Sequence, residues 1–446
     1  MRVFLIQALS LEEASPLKVY PLGIVTLATH LARRGIAVKL LDLNVQPDAF
    51  AALVRELREF QPDAIGISFR NIDPLANKTS SLVPPFKATI KIITGLLPAV
   101  PIIAGGTGYS LFPERILAEL PEISYGLAGE SEQAFVTLLE SLGSSTPSAP
   151  ASLPGLYLRK DGQPAPCSNI SHARYDNWAR DYLWPDRTLL DPRPYLAGNS
   201  YVPAIGIETQ RGCPYHCAYC VYPKLQGNRV RARAPEDVVD EIEYLQKTFG
   251  IQRVHLNDPV VNMLPGHLES IAELLLARRL HIQWGGFLRE DLLDDAGLLA
   301  RSGCECFAFS PDAMHNQGFA ILGKDMNTDD LIAAARKAAA TDVTSIYHFM
   351  VNLPKENADT VAESRELMTR LFEIHKPRRN LGTIILNNMR IYPGTPIAKI
   401  AQSEAVIDES TDLLYPTYYN PRPYHNLRYE LEALQLEQNI KMWQGI

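Results

Sequence analysis

The sequence predicts an α/β protein: an N-terminal doubly wound, Rossmann-like parallel sheet followed by a partial (β/α)6 barrel of the TIM type. Three observations carry this expectation. Apolar strand-like runs alternate with amphipathic helical runs over residues 1–142. A stretch rich in Ser, Pro, Ala and Gly, GSSTPSAPASLPG, then breaks the pattern. A second alternating series runs over residues 200–400. Short strand-to-helix connections favour parallel pairing, because each helix carries the chain back to begin the next strand. At 446 residues the chain exceeds one ordinary core, so at least two domains are expected.

In the first series MRVFLIQA reads as a strand. PLGIVTLATHLARRG (21–35) reads as a helix, with apolar residues at three- and four-residue spacing and Gly35 at its end. IAVKLLDLN, DAIGISFRN, VPIIAGGTG and ISYGLAGE are the further strands. PDAFAALVRELREF, FKATIKIITGLL, PERILAEL and SEQAFVTLLESL are the further helices. Residues 143–199 read as a linker, within which LYLRKDGQPAPC folds as a hairpin turning at Asp161-Gly162. The second series opens with the strand YVPAIGIETQ, continued by RVHLND, IQWGGFL, CECFAFS, TSIYHFMVNLP and TIILNNMRIYPGT. Its helices are PEDVVDEIEYLQKTFG, with Pro235 suited to a first turn, then HLESIAELLLARR, DDAGLLARSG, TDDLIAAARKAAATD and NADTVAESRELMTRLFEI. Residues 401–446, ending in the helical LRYELEALQLEQNIKMW, form a segment that caps the barrel. In both architectures ligands bind beyond the carboxyl ends of the strands.

The composition, 46% apolar and 21% charged, is that of a soluble globular protein. A net charge of -7 argues against a nucleic-acid partner. The N-terminus lacks the apolar run of a signal peptide, and no stretch approaches the roughly 18 apolar residues of a membrane span. A cytoplasmic protein is expected, where disulfides are rare. Yet three of the six cysteines lie within RGCPYHCAYC: Cys213, Cys217 and Cys220, spaced C-x3-C-x2-C directly after the first barrel strand. An iron–sulfur cluster, a partial zinc site, and a catalytic thiol with neighbours all use such groups. Zinc usually takes a fourth ligand, and His216 is awkwardly placed inside the loop to supply it. Cys304 and Cys306 read as barrel-interior residues, and Cys167 as incidental.

With Tyr219 before its last cysteine, this motif resembles that of the radical S-adenosylmethionine (SAM) enzymes. RVRARAPEDVVDEIEYL, HLNDPVVN, FLREDLLDDAGLLARSGCECFAFSPDA, FMVNLPKEN and RIYPGTP follow the family's pattern in order. The resemblance implies a [4Fe-4S] cluster on the three cysteines, with one iron open to the amino and carboxylate groups of SAM. One electron then cleaves SAM to a 5′-deoxyadenosyl radical. By position, Asn257 and Asp258 are candidates for the cofactor's ammonium, Arg289 for its carboxylate, and Ser310, Asn352 and Ile391 for further contacts. Tyr219 is a candidate catalytic residue. Asn352 and Lys355 stand where the family often has glycines.

The first domain resembles the cobalamin-binding domain that precedes the radical domain in one subgroup. YPLGIVTLATHLARRGIAVKLLDLN, PDAIGIS, IIAGGTGYSLFPE and GLAGESEQAFVTLL carry the pattern. Ser68, Gly105, Gly106, Thr107, Gly129 and Glu130 are the implied contacts. Many such domains ligate cobalt through a histidine in D-x-H-x-x-G. Here the stretch is Asp42-Leu43-Asn44-Val45-Gln46-Pro47, with neither the histidine nor the glycine. A base-off cobalamin without a protein histidine ligand is therefore expected, with Arg70 beneath the corrin as a catalytic and binding candidate. An arginine stays protonated and gives cobalt no nitrogen donor.

The combination implies a methyltransferase that moves a methyl group from SAM, via methylcobalamin, to an unactivated carbon or phosphorus of a small molecule or peptide. An electron donor such as flavodoxin or ferredoxin is implied. A cyclase or rearrangement enzyme using the same cofactors is the alternative reading. A non-catalytic cobalamin or metal sensor is the reading from another class, although nothing in the chain resembles an output domain.

Overall fold

The computed structural model describes residues 1–10, 19–74, 77–144, 149–150, 152–196 and 202–440. The chain divides into two units, residues 1–197 with 224–227, and residues 198–223 with 228–446.

The first unit contains β1 (Arg2–Gln7), α1 (Leu22–Ala32), β2 (Ala37–Asp42), α2 (Ala49–Phe60), β3 (Ala64–Ser68), α3 (Val83–Leu96), β4 (Ile102–Gly105), α4 (Thr107–Leu111), α5 (Pro113–Glu119), β5 (Tyr125–Leu127), α6 (Glu132–Leu142), β6 (Leu156–Lys160) and β7 (Gln163–Pro166). The sheet order is β2-β1-β3-β4-β5-β6-β7, parallel through β5. Val3, Phe4, Leu5 and Ile6 are all buried. A strand covered on both faces must be apolar at consecutive positions, which is why β1 reads as an unbroken run. The α3 helix starts three residues before the run that suggests it, because Pro84 and Pro85 fit a first turn, where no amide proton is needed.

Residues 156–166 correct the linker expectation. The predicted hairpin forms, with positive φ at both Asp161 and Gly162, and β6 pairs antiparallel with β5. This part of the segment extends the first sheet instead of bridging two domains. The five residues of β6 and the tight turn after them were too local to reveal that partner.

The second unit contains β8 (Gly206–Ile207), β9 (Gln210–Arg211), α7 (Tyr222–Gln226), β10 (Arg231–Ala232), α8 (Pro235–Phe249), β11 (Arg253–Leu256), α9 (His267–Ala277), β12 (Gln283–Leu288), α10 (Ala296–Arg301), β13 (Cys304–Asp312), α11 (Asn316–Leu322), α12 (Thr328–Ala339), β14 (Thr344–Met350), α13 (Ala358–His375), β15 (Leu381–Asn387), β16 (Met389–Arg390), α14 (Pro396–Ser403), β17 (Tyr418–Tyr419) and α15 (Leu427–Glu437); residues 224–227 of α7 are grouped with the first unit. Six parallel strands stand in sequence order, β8-β11-β12-β13-β14-β15. Asn327 and Asn357 close capping boxes at the starts of α12 and α13. Cys306, Ala308, Ile346 and Ile385 from β13, β14 and β15 form one buried cluster, with Phe287 packed against them. Phe287 also meets His255 and His348 edge to face.

The C-terminal segment covers the β15 edge. The Gln435 side chain of α15 accepts the Ile384 amide at 2.5 Å, satisfying a donor that an edge strand would leave open. The end of the predicted C-terminal helix, residues 441–446, lies outside the described residues. Among the described residues no helix is long and apolar enough to cross a membrane.

Candidate cofactor sites

The order β2-β1-β3-β4-β5 places the topological switch point between β1 and β3, where open α/β sheets take their ligands. Ser68 ends β3, and Arg70 follows it with an exposed side chain. Across the gap, the Arg70 carbonyl accepts from the Thr107 hydroxyl at 2.6 Å and from the Gly108 amide at 2.8 Å. The glycines here serve close approach. A Cβ on Gly106 (φ 97°) would fall 2.8 Å from the Phe69 carbonyl oxygen and 3.0 Å from Ser68 Oγ. A Cβ on Gly105 would meet the Leu127 carbonyl oxygen at 3.4 Å. The glycines thus let the strand ends pack backbone to backbone, and the edge presents the hydroxyls of Ser68 and Thr107 and the exposed Arg70.

The loop after β2 is closed on itself. Asp42 accepts from the Asn44 amide at 2.9 Å, from Asn44 Nδ2 at 2.7 Å and from Tyr195 Oη at 2.8 Å. Asn44 in turn accepts from the Ser10 amide at 2.8 Å and donates to the Ala8 carbonyl at 3.1 Å. Burial raises the Asp42 carboxyl above its ordinary value, against the Asn44 and Tyr195 hydrogen bonds and the Arg70 charge.

Gly129 and Glu130 do different work from that expected. The α6 helix starts after them, capped at Ser131. The Glu130 carboxylate accepts the Tyr175 amide at 2.7 Å, and its own amide donates to Ala173 at 3.0 Å. A Cβ on Gly129 would fall 2.4 Å from the Ala173 carbonyl oxygen. This pair fastens residues 173–175 to the sheet, a contact from far along the chain that helix-start patterning does not reveal.

In the second unit the antiparallel pair β9–β10 closes the base of the cysteine loop. Asp258 accepts from the Thr209 amide at 2.8 Å, the Thr209 hydroxyl at 2.5 Å and the Gln210 amide at 3.1 Å. Both its oxygens fasten the entry to the loop, where a contact to the cofactor ammonium was expected. The Asn257 side chain lies over Gly206, whose Cβ would come within 2.1 Å of Asn257 Nδ2. Backbone hydrogen bonds hold the loop: the Ala218 amide donates to Leu322 at 2.8 Å and the Ile397 amide to Ala218 at 3.0 Å.

Cys213 is buried, and Cys217 and Cys220 are partly buried. Burial raises all three thiols, Cys220 to about 12; Cys217 also feels the charge of Cys213, and Cys220 the charges of Cys217 and Cys213. Three thiols sharing one low-dielectric space are hard to ionise without a cationic group among them, which is the requirement an iron–sulfur cluster meets. Among the described residues no three His, Cys, Asp or Glu side chains converge on a single-ion site.

Two buried cations flank the loop. Arg289 pairs with Asp291 at 2.7 Å, donates to the Asp325 carbonyl at 3.2 Å, and stacks 4.1 Å from the Tyr215 ring centroid. Most of its fork is thus committed to protein partners, through Nε and Nη2 to Asp291 and the Asp325 carbonyl. Lys324 pairs with Asp312, which also accepts from the Tyr219 hydroxyl. Through this bond Tyr219 links the cysteine loop to Asp312. The carbonyl of Ser310 accepts from Lys324.

Asn352 is buried with φ 56° and donates to Asn420 Oδ1 and the Pro421 carbonyl, both at 2.7 Å. It ties the end of β14 to the C-terminal segment. Lys355 shares the left-handed conformation at φ 64°, so the loop keeps a glycine-type path without glycine. The Ile391 side chain is fully buried and its amide donates to Thr417 at 2.9 Å. Asp312, Lys324 and Glu290 were missed by sequence reasoning; for Asp312 and Glu290 the available signal was a charged residue at or just beyond the end of an apolar strand, whereas Lys324 follows the short helix α11 and carried no such signal.

Two family patterns match the chain, a B12 binding domain over residues 13–139 and the radical SAM superfamily over residues 207–368. An uncharacterized methyltransferase of Pyrococcus horikoshii is 23% identical over 85% of this chain and 78% of its own length. The tryptophan 2-C-methyltransferase of Streptomyces laurentii is 26% identical over 60% of this chain, which spans only 51% of that protein. The solved structure of the methyltransferase TsrM from Kitasatospora setae, bound to tryptophan and a SAM analogue, superposes with a TM-score of 0.76 at 21% identity. That match covers 94% of this chain and 80% of TsrM, and the two share a fold.

Proposed function

We propose, from the premise that this chain belongs to the cobalamin-dependent radical SAM enzymes, that it transfers a methyl group from SAM to an unactivated carbon or phosphorus of a small molecule or peptide. The observation that carries the reading is the buried three-thiol loop at the carboxyl end of the first barrel strand, with Arg289 and Lys324 beside it. Cys213, Cys217 and Cys220 would hold a [4Fe-4S] cluster, and the rim of Ser68, Arg70, Gly105, Gly106 and Thr107 would hold cobalamin. When bound, the cluster supplies the electron that cleaves SAM, and the corrin carries the methyl group.

The chain's own residues prepare these sites. Asp258 and the Leu322 and Ile397 backbone anchors fix the loop before any metal arrives. Arg289 holds the Tyr215 ring against one side of it. Asn44, turned toward Ser10 and Ala8, leaves the loop after β2 without a nitrogen ligand for cobalt, which supports a base-off corrin. Arg70 beneath that corrin would keep the lower face free of a strong donor and so favour release of the methyl group as a cation equivalent. The likeness of the Streptomyces laurentii and Pyrococcus horikoshii relatives, named as methyltransferases, supports the reaction class. A cytoplasmic enzyme served by a flavodoxin- or ferredoxin-type electron donor completes the proposal.

Anaerobic reconstitution with iron, sulfide and hydroxocobalamin tests it. Expected are a base-off corrin spectrum, a cluster signal perturbed by SAM, and release of S-adenosylhomocysteine on turnover. Tetrahedral zinc on the three cysteines, or failure to retain the corrin, overturns it.

A further inference from the structure

We infer that Lys324 and Asp312 form the positioning pair of the cysteine loop: through Tyr219 they set where the thiols stand, and the buried ammonium eases the addition of an electron to the group held there. The inference rests on the iron–sulfur reading of the loop and deepens it, because that reading places Lys324 beside the thiols without giving it a task.

The geometry is a chain of contacts that starts on β13. The register between β13 and β14 slips between Phe309 and Asp312, and Asp312 takes φ 65°. Such an irregularity re-aims a side chain at the end of a strand. Asp312 is 5% exposed and Lys324 8%, so neither charge is there for solubility. The ammonium bonds Asp312 and the Ser310 carbonyl, and the other partner of Asp312 is the Tyr219 hydroxyl, between Cys217 and Cys220. Lys324 also follows the backbone that holds the loop, since Leu322 accepts the Ala218 amide. A Cβ on Gly323 would stand 3.3 Å from the His216 carbonyl oxygen. One short segment, residues 322–324, thus touches the cysteine loop by backbone and by side chain.

Charge gives the pair its second task. Burial works against the Lys324 ammonium, but Asp312 and Glu290 outweigh it and hold the lysine protonated. Through Asp312 and Tyr219 this ammonium stands close to the cysteine loop. A cluster on three thiolates becomes one unit more negative when it takes an electron. In a low-dielectric site that step is favoured by a fixed cation and disfavoured when the cation is removed.

The test uses the full chain reconstituted anaerobically with iron and sulfide, as wild type and as Lys324→Met, Lys324→Arg, Tyr219→Phe and Lys324→Met/Asp312→Asn. Iron content, melting temperature, the cluster midpoint potential and its EPR spectrum are read. Lys324→Met shifts the midpoint potential to more negative values, and Lys324→Arg recovers at least half of that shift. Tyr219→Phe changes the EPR spectrum at unaltered iron content and melting temperature. If Lys324→Met alone cannot be loaded because it leaves Asp312 buried and unpaired, the double variant decides: it loads iron with a smaller shift in the same direction. A midpoint potential equal to wild type in the loaded lysine variants overturns the inference. A wild type that takes up no iron and sulfide sinks the iron–sulfur reading beneath it and the inference with it.

Discussion

Glu290 shows what a single buried side chain implies. It is 2% exposed, and neither carboxylate oxygen has a hydrogen-bond partner. Burial pushes its carboxyl from 4.5 up to about 7, against the pull of the Lys324 charge. Because the folded value is raised, the stability this group contributes is full below pH 4.5 and is lost as pH rises through about 7. Glu290→Gln, which cannot ionise, is therefore expected to be more stable than wild type near pH 8 by an amount on the order of 2–3 kcal/mol, with little difference near pH 4. Urea midpoints at the two pH values check this; a difference independent of pH refutes it. Asn352 makes the complementary point. Its type was visible in the sequence as a departure from glycine, but its two hydrogen bonds lead to Asn420 and Pro421, more than sixty residues away. Residue identity announced an unusual backbone and was silent about its purpose.

Elements were legible where burial imposes a period. The β1 run and the helices α8, α9, α12 and α13 follow directly from apolar spacing and end signals, because a strand covered on both faces or a helix with one covered face leaves no other pattern. Short elements escaped: α11 spans seven residues, and β9, β10, β16 and β17 two each, too few to show a period. The same elements matter most for the cysteine loop, since β9 and β10 close its base and α11 supplies the Leu322 carbonyl. Packing between elements also decides which glycines are needed. A Cβ on Gly126 of β5 would fall 1.6 Å from the hydroxyl of Tyr109 on α4, whose ring is fully buried and has nowhere to go. Gly126→Ala is expected to destabilise the first unit by about 2–3 kcal/mol, since overpacking a filled core costs that much. Its denaturant midpoint should fall while Gly23→Ala, where nothing lies within 4 Å, leaves it nearly unchanged.

At the scale of the whole molecule, each unit carries its own core and its own ligand edge. The cysteine loop is anchored by protein contacts at Asp258, Leu322, Ile397 and Asp312, and none of these needs a metal. The triple variant Cys213→Ala/Cys217→Ala/Cys220→Ala is therefore expected to lose its iron while keeping the far-UV circular dichroism of the wild-type apoprotein and a melting temperature within a few degrees of it. Collapse of the fold on that substitution would show that the loop is built around its metal. The sequence by itself determined the two α/β architectures, the succession of strands and helices along the chain and the placement of three thiols after the first barrel strand. It could do so because periodicity and local spacing are properties of neighbouring residues. Only the tertiary structure decided that Glu130, Asp258 and Asn352 fasten segments together, that Arg289 and Lys324 flank the thiols, and that residues 156–166 belong to the first sheet. Those outcomes depend on which distant groups meet once water is excluded. A buried polar atom must find a partner wherever the fold brings one, and that partner's place in the chain leaves no local trace.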